Sequence, residues 1–352
     1  MDRYIGLDAH SASCTIAVVG PSGKRLQSQV LETNARALIS FLKTIPKQRR
    51  LCLEEGTQAN WLHEVLAPHV DEIVVTPGIR RMSGSKDDKR DAFNLAENLR
   101  IGAINTRVYK GLGKFGLLRE LSRAYTMLVN DSVRVQNRIK SLYRSRGIPT
   151  CGKEIYEITA REKWLRKLPA KIRSVAGFLY QELDCVRDLK KQAEKEMLAE
   201  AQKHSISRIL KTCPGMGVIR VAQILSIVVT PYRFSSKRSF WAYAGLAIVM
   251  RSSSDWTRAG DGSWARLPVQ QTRGLNRNGN RALKQIFKGA ATTVIGYARN
   301  EDPLYRHYQQ LLNEGTRPNL AKLTIARQIA SIILSMWRSE EVYNPAKLKK
   351  AA

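Results

Sequence analysis

Four acidic residues in the first 91 positions, Asp8, Glu54, Asp88 and Asp91, have the types and spacing of a divalent-metal site. Asp8 ends the apolar run Tyr4-Ile5-Gly6-Leu7, and Glu54 ends Leu51-Cys52-Leu53. Asp88 and Asp91 open a helix-like stretch, and residues three apart share a helix face. Mg²⁺ takes hard oxygen ligands in octahedral geometry and accepts few of them from protein. Two such ions can stabilise both the attacking and the leaving oxygen of a phosphodiester. The set therefore reads as a catalytic and metal-ligating centre for Mg²⁺ (or Mn²⁺). Acids at strand ends can also merely solvate loop edges; for any one of them that alternative stands, and their order as a set favours the site.

The 352 residues carry 59 Lys plus Arg against 30 Asp plus Glu, a net charge of +29. Charge of that sign, spread along the whole chain, implies a nucleic-acid partner, because phosphate neutralisation dominates such binding. A membrane role is disfavoured: no apolar run approaches about 18 residues and no basic-then-apolar segment opens the sequence. Cys14, Cys52, Cys151, Cys185 and Cys213 are scattered, with no CxxC pair, and read as reduced thiols of a cytosolic protein, not zinc ligands or a disulfide framework.

Alternating runs predict strands over Arg3–Asp8, Ser13–Val19 and Arg25–Leu31, an antiparallel meander with Gly20-Pro21-Ser22-Gly23 as one turn. Asn34 caps a helix over Ala35–Ile45 that buries Leu38, Phe41 and Leu42. A strand over Leu51–Glu54, a helix stopped near Pro68, a strand over Glu72–Thr76 and a helix from about Asp87 to Arg100 follow. This order is that of an RNase H-like domain, in which the first strand is central. From Leu117 to near Pro149 apolar residues recur at helical spacing, and again from Pro169 to about His204. We read these as an antiparallel helical hairpin, or coiled coil, that dimerises; a solvated arm is the alternative. Its face carrying Arg134, Arg138 and Arg144 is a candidate nucleic-acid contact. Pro214-Gly215-Met216-Gly217 resembles the turn of a helix-hairpin-helix module, where glycines such as Gly215 and Gly217 let backbone N–H groups approach phosphate; a plain helix-helix turn is equally open. Residues 251–278 turn polar and Gly-punctuated, and are expected to form a loop. Two further helices, Arg281–Tyr297 and Leu320–Trp337, complete the chain.

Three of these segments, Tyr4-Ile5-Gly6-Leu7-Asp8, Leu53-Glu54-Glu55-Gly56-Thr57 and Lys86-Asp87-Asp88-Lys89-Arg90-Asp91-Ala92, resemble the acidic signature of the DEDD transposases of insertion-sequence family 110, which include the related 1111 group. Downstream, Pro214-Gly215-Met216-Gly217, Ala242-Tyr243-Ala244-Gly245-Leu246, Arg277-Asn278-Gly279-Asn280-Arg281-Ala282-Leu283 and Leu323-Thr324-Ile325-Ala326-Arg327 stand in the family's order. The resemblance covers nearly the whole chain. It implies a RuvC-like, RNase H-like domain over 1–112, a helical coiled-coil region over 113–205, a mainly helical transposase domain over 206–340 and a basic tail over 341–352. It further implies recombination of donor and target double-stranded DNA, directed by a structured noncoding guide RNA, in a homo-oligomer that is dimeric, or tetrameric in the synaptic complex. Departures leave choices open. Glu55 adjoins Glu54, and Asp87 adjoins Asp88. The family's nucleophilic serine, counted without gaps, falls on Ser253, with Ser252 and Ser254 as competitors.

The implied chemistry joins the carboxylate-held cation to a serine hydroxyl that attacks a phosphodiester, which needs proton removal and charge neutralisation. Two rivals remain: a Holliday-junction-type resolvase that cuts with water, and a non-catalytic nucleic-acid scaffold.

Overall fold

The computed structural model describes residues 1–46, 48–77, 87–104, 108–109, 111, 113–250, 256–266, 272–276, 278–297 and 302–347. The chain divides into two compact units, Met1–Leu112 and Gly113–Ala352.

The first unit is a mixed α/β layer. Strands β1 (Arg3–Ala9), β2 (Ser13–Val19) and β3 (Arg25–Glu32) form the expected meander, followed by α1 (Ala35–Thr44), β4 (Arg49–Glu54), α2 (Ala59–Leu66), β5 (Glu72–Thr76) and α3 (Asp88–Arg100). Among the described residues the sheet order is β3-β2-β1-β4-β5. β1 runs antiparallel to β2 and parallel to β4, and β4 is parallel to β5. This five-stranded arrangement, with β1 central, is compatible with an RNase H-like domain. Strand alternation sorts the side chains to the two faces. Ile5, Leu7, Ile16 and Val18 pack with Leu38, Phe41, Leu42 and Leu62 of α1 and α2. Ala17, Val19 and Tyr4 lie with Ala92, Phe93 and Ala96 of α3 on the other face. Asn34 caps α1 as expected, its side chain accepting from the Ala37 N–H at 2.8 Å.

The second unit is mostly helical. α4 (Gly116–Arg144) and α6 (Ala170–Gln202) pack as an antiparallel pair, with Tyr143 and Tyr180 hydroxyls 3.2 Å apart and Arg138 bridged to Glu182 at 2.9 Å. Their connection is more than a turn: it contains α5 (Arg161–Arg166), and Ile155, Tyr156, Trp164 and Leu168 close over the hairpin end. At the opposite end Phe115, Leu118, Met197 and Ala201 enter the same core as the C-terminal helices. Those are α7 (Ser205–Leu210), α8 (Val218–Val228) and α9 (Lys237–Tyr243), then, after the strands below, α10 (Arg281–Tyr297), α11 (Pro303–Asn313) and α12 (Pro318–Ser339). α12 is the one described helix long and apolar enough to cross a membrane by length and composition; here Ile325, Ile329, Ile333 and Trp337 are core residues.

The expected loop over 251–278 contains strands. β6 (Ile248–Met250) pairs with β9 (Thr272–Leu275), and β7 (Trp256–Arg258) with β8 (Trp264–Arg266), both antiparallel. The second ribbon turns at Gly260-Asp261-Gly262, where Gly262 takes a φ of 81° that favours glycine.

Candidate metal centre

Gly6 decides where the acids meet. A β-carbon there would lie 1.9 Å from the Ala92 carbonyl oxygen and 2.7 Å from the Ala96 nitrogen, so only glycine lets α3 lie this close on β1. Asp8 is two residues on and shares the face of Gly6, about 6.6 Å further along the strand. Asp88 precedes Ala92 by one helical turn, about 6 Å along the helix. The two advances nearly match, which brings Asp88 level with Asp8 at the carboxyl end of β1. Gly6 faces Cys52 and Leu7 faces Leu53 in the β1–β4 register, so Glu54 occupies the next position, beside Asp8.

The electrostatics follow. Burial raises the Asp8 carboxyl pKa above its usual range; the nearby His10 opposes this, and the charges of Asp88, Asp91 and Glu54 add to it. All four predicted acids thus act within one field. Of the two adjacent pairs, Glu54 rather than Glu55 is the glutamate acting on Asp8. Asp87 serves as the helix cap, its carboxylate accepting from the Lys89 N–H at 3.0 Å.

His10 was not among the residues picked from the sequence. It sits in the β1–β2 turn, held by its N–H to the Ser13 carbonyl at 2.9 Å and by the Thr33 hydroxyl donating to its own carbonyl at 2.8 Å. Its Nε2 lies 3.5 Å from Asp8 Oδ2 and 3.3 Å from Asp88 Oδ2. The ligand atoms of Asp8, His10 and Asp88 all fall within 4.8 Å of one another. That Nε2 is buried without a hydrogen-bond partner of acceptable geometry. Two open clefts meet at His10: one of about 300 Å³ along Glu54, Gly56 and Gln58, the other along Thr15, Asp88 and Lys89.

In the second unit, three sequence motifs converge below β6. The Gly245 and Gly279 backbones touch, since a β-carbon on Gly279 would lie 2.3 Å from Gly245. The Asn280 N–H donates to the Tyr243 carbonyl at 2.7 Å, and Arg327 Nε to the Leu246 carbonyl at 2.8 Å. Ser252, Ser253 and Ser254 lie outside the described residues, between β6 and β7. Arg134 and Arg138 are exposed and paired with Asp131 and Glu182, while Arg144 donates to the Thr150 hydroxyl at 2.9 Å. Gly215, at a φ of 76°, packs on α10, where a β-carbon would meet the Ala290 carbonyl oxygen at 2.4 Å; around Gly217 a β-carbon would meet nothing within 4 Å. Packing therefore gives Gly215 a structural reason of its own.

Residues 5–145 match the family of DEDD transposases of IS110. Residues 207–267 match the transposase family of IS116, IS110 and IS902. The chain belongs to the IS110 family of DEDD transposases. Among its relatives, the 44.8 kDa protein of insertion element IS116 from Streptomyces clavuligerus is 22% identical over 97% of this chain and 96% of its own length. The 43.6 kDa protein of insertion element IS110 from Streptomyces coelicolor is 28% identical over 51% of this chain and 41% of its own.

As a transposase of this family the protein acts on DNA, cutting and rejoining it, and the family generally uses a divalent metal. The donor set accommodates one. Two carboxylates and an imidazole converge, and the buried Nε2 of His10, which makes no hydrogen bond, lies within 3.5 Å of both carboxylates, where a cation could be shared among them. Octahedral ligand atoms at about 2.1 Å from an ion are about 3–4 Å apart, so small side-chain adjustments would bring this set to bonding distance. Imidazole beside carboxylate suits Mn²⁺ as well as Mg²⁺.

Proposed function

We propose that this transposase is an RNA-guided DNA recombinase whose Asp8, Glu54, Asp88 and Asp91, joined by His10, hold Mg²⁺ or Mn²⁺, and whose nucleophile is Ser253. The observation that carries the reading is the convergence of Asp8, Asp88 and His10 where β1 ends against the first turn of α3. The bound cation would neutralise charge on the phosphoryl oxygens. The chain's own residues orient the strand in the clefts beside His10 and keep the phosphodiester at the carboxylates. Attack by the serine hydroxyl forms an Oγ–phosphorus ester and breaks a phosphorus–oxygen bond of the strand. The serine proton is balanced by the proton gained on the leaving strand oxygen, and rejoining reverses the exchange. No external oxidant, reductant or energy source is needed.

Donor and target DNA and a noncoding guide RNA are the proposed partners, supported by the +29 charge and the family resemblance. We place the RNase H-like, RuvC-like domain at 1–112, a dimerising coiled coil at 113–205, the transposase domain at 206–340 and a basic tail at 341–352, with a tetramer in the synaptic complex. The test is strand cleavage with purified protein, guide RNA and both DNAs in Mg²⁺ or Mn²⁺. Ser253→Ala should bind nucleic acid yet form no protein–DNA adduct. An active Ser252→Ala/Ser253→Ala/Ser254→Ala variant would overturn serine catalysis and leave attack by water.

A further inference from the structure

The β7–β8 ribbon carries two exposed tryptophans and an arginine on one face. Arg258 pairs with Trp264, Trp256 with Arg266, and Thr257 with Ala265. Residues directly opposite in an antiparallel pair share a face, as do residues two apart on one strand. Positions 256, 258, 264 and 266 therefore form one face and Thr257 and Ala265 the other. On the first face Trp256 and Trp264 are 56% and 62% exposed, a large indole area left in solvent. The Arg258 guanidinium lies over the Trp264 ring, 5.6 Å from its centroid. The tip is locked: Asp261 accepts from both the Ser263 N–H at 2.9 Å and its hydroxyl at 2.6 Å. The ribbon thus offers two exposed indoles, with the Arg258 guanidinium over one of them.

We propose that this face is a stacking platform for unpaired bases of a nucleic-acid strand, the indoles taking the bases and Arg258 the adjoining phosphate. The proposal rests on the reading of the protein as a nucleic-acid enzyme and goes further, because it names where a strand is held and by which interaction. Charge complementarity selects the occupant. The chain carries a net charge of +29, and the face sets the Arg258 guanidinium beside exposed indoles, the combination that holds a phosphate next to a stacked base. Aromatic rings accept any base by stacking, with arginine adding cation–π and phosphate contacts. Diagonal neighbours on such a ribbon stand about 7–8 Å apart, about twice the ~3.4 Å rise of stacked bases, so two bases of one strand with a single base between them reach both rings.

The experiment is fluorescence anisotropy of the full chain with labelled single-stranded DNA, single-stranded RNA and duplex DNA of one sequence. Trp256→Ala/Trp264→Ala should lose about tenfold or more in affinity for a single strand, about twofold or less for duplex, with unchanged circular dichroism. Trp256→Phe/Trp264→Phe should retain most of the affinity. The tryptophan variant should leave the salt dependence of single-strand binding unaltered, whereas Arg258→Ala should lower its log–log slope by about 0.7. A larger loss on DNA or on RNA identifies which strand the ribbon holds. Equal losses on single strand and duplex, no loss in the double alanine variant, or a change in oligomeric state in place of binding would each overturn the platform. Wild-type protein that binds none of the three would overturn the nucleic-acid reading itself, a distinguishable result.

Discussion

Replacing Gly6 by alanine tests the link between fold and site, since one methyl group should disturb both. Its β-carbon would be placed 1.9 Å from the Ala92 carbonyl oxygen and 2.7 Å from the Ala96 nitrogen, all backbone atoms that no rotamer change can clear. Ordinary carbon–oxygen contact begins at about 3.3 Å, so α3 must retreat by about 1.4 Å or β1 must buckle. Overpacking of this kind costs about 1–3 kcal/mol, and a domain of this size loses roughly 4–8 °C in Tm per kcal/mol. The first unit should therefore melt about 5–20 °C lower. Function should fall further than stability, because Asp88 and Asp91 ride on α3 while Asp8 stays on β1. A misplacement of about 1 Å in a catalytic constellation can cost about 100-fold in rate. Differential scanning calorimetry and strand cleavage, measured well below the shifted Tm, separate the two effects. Gly177→Ala is the control: nothing lies within 4 Å of its β-carbon and it sits inside α6, so it should be neutral or stabilise by about 0.5–1 kcal/mol. Wild-type melting and cleavage in Gly6→Ala would refute the seating of α3 on β1 and the alignment of acids derived from it.

Other expectations follow from individual residues. Asp8→Ala, Glu54→Ala, Asp88→Ala and Asp91→Ala should each abolish recombination while sparing nucleic-acid binding, whereas Glu55→Ala should be mild; a dead Glu55→Ala beside an active Glu54→Ala would reverse that assignment. Arg134→Glu, Arg138→Glu and Arg144→Glu together should weaken nucleic-acid binding and lower its salt slope, by about 0.7–0.9 for each phosphate no longer neutralised, with helicity preserved; collapse of helicity would mean the face is structural. Hydrogen bonds from Arg161, at 2.5 Å, hold the Asp184 carboxyl below its usual pKa range. Because the folded pKa is lowered, the stabilisation is present above the unfolded pKa and is lost as pH falls through the folded value. Acid melting of the hairpin should therefore be shallower in Asp184→Asn, and identical acid profiles would count against the pair.

The elements that place the acids were legible because their signals are local. Alternation marked β1 to β3, Asn34 marked the start of α1, and the spacing of Asp88 to Asp91 marked one face of α3. The long helices were legible from apolar recurrence, though α5 and the aromatic closure over Tyr143 and Tyr180 were not, since that packing joins residues far apart in sequence. Strands of three or four residues, as in β6 to β9, are too short for alternation to register, and the glycines and serines around them read as loop. Trp256 and Trp264, with Asp261-Gly262 between them, carried the available hairpin signal. His10 escaped because nothing local marks a turn histidine as a ligand; its meaning depends on Asp88, brought to it only by the contact of Gly6 with Ala92.

The central claim is that Asp8, Asp88 and His10 hold a divalent cation that cleavage requires. It is tested most directly by titrating Mn²⁺ into full-length protein, with free ion followed by electron paramagnetic resonance and cleavage assayed on the same samples. Wild-type protein should bind Mn²⁺ saturably and cleave in step with occupancy. Asp8→Asn and Asp88→Asn should lose both, and His10→Ala should weaken Mn²⁺ binding more than Mg²⁺ binding. Undiminished binding and cleavage in Asp8→Asn/Asp88→Asn would contradict the account.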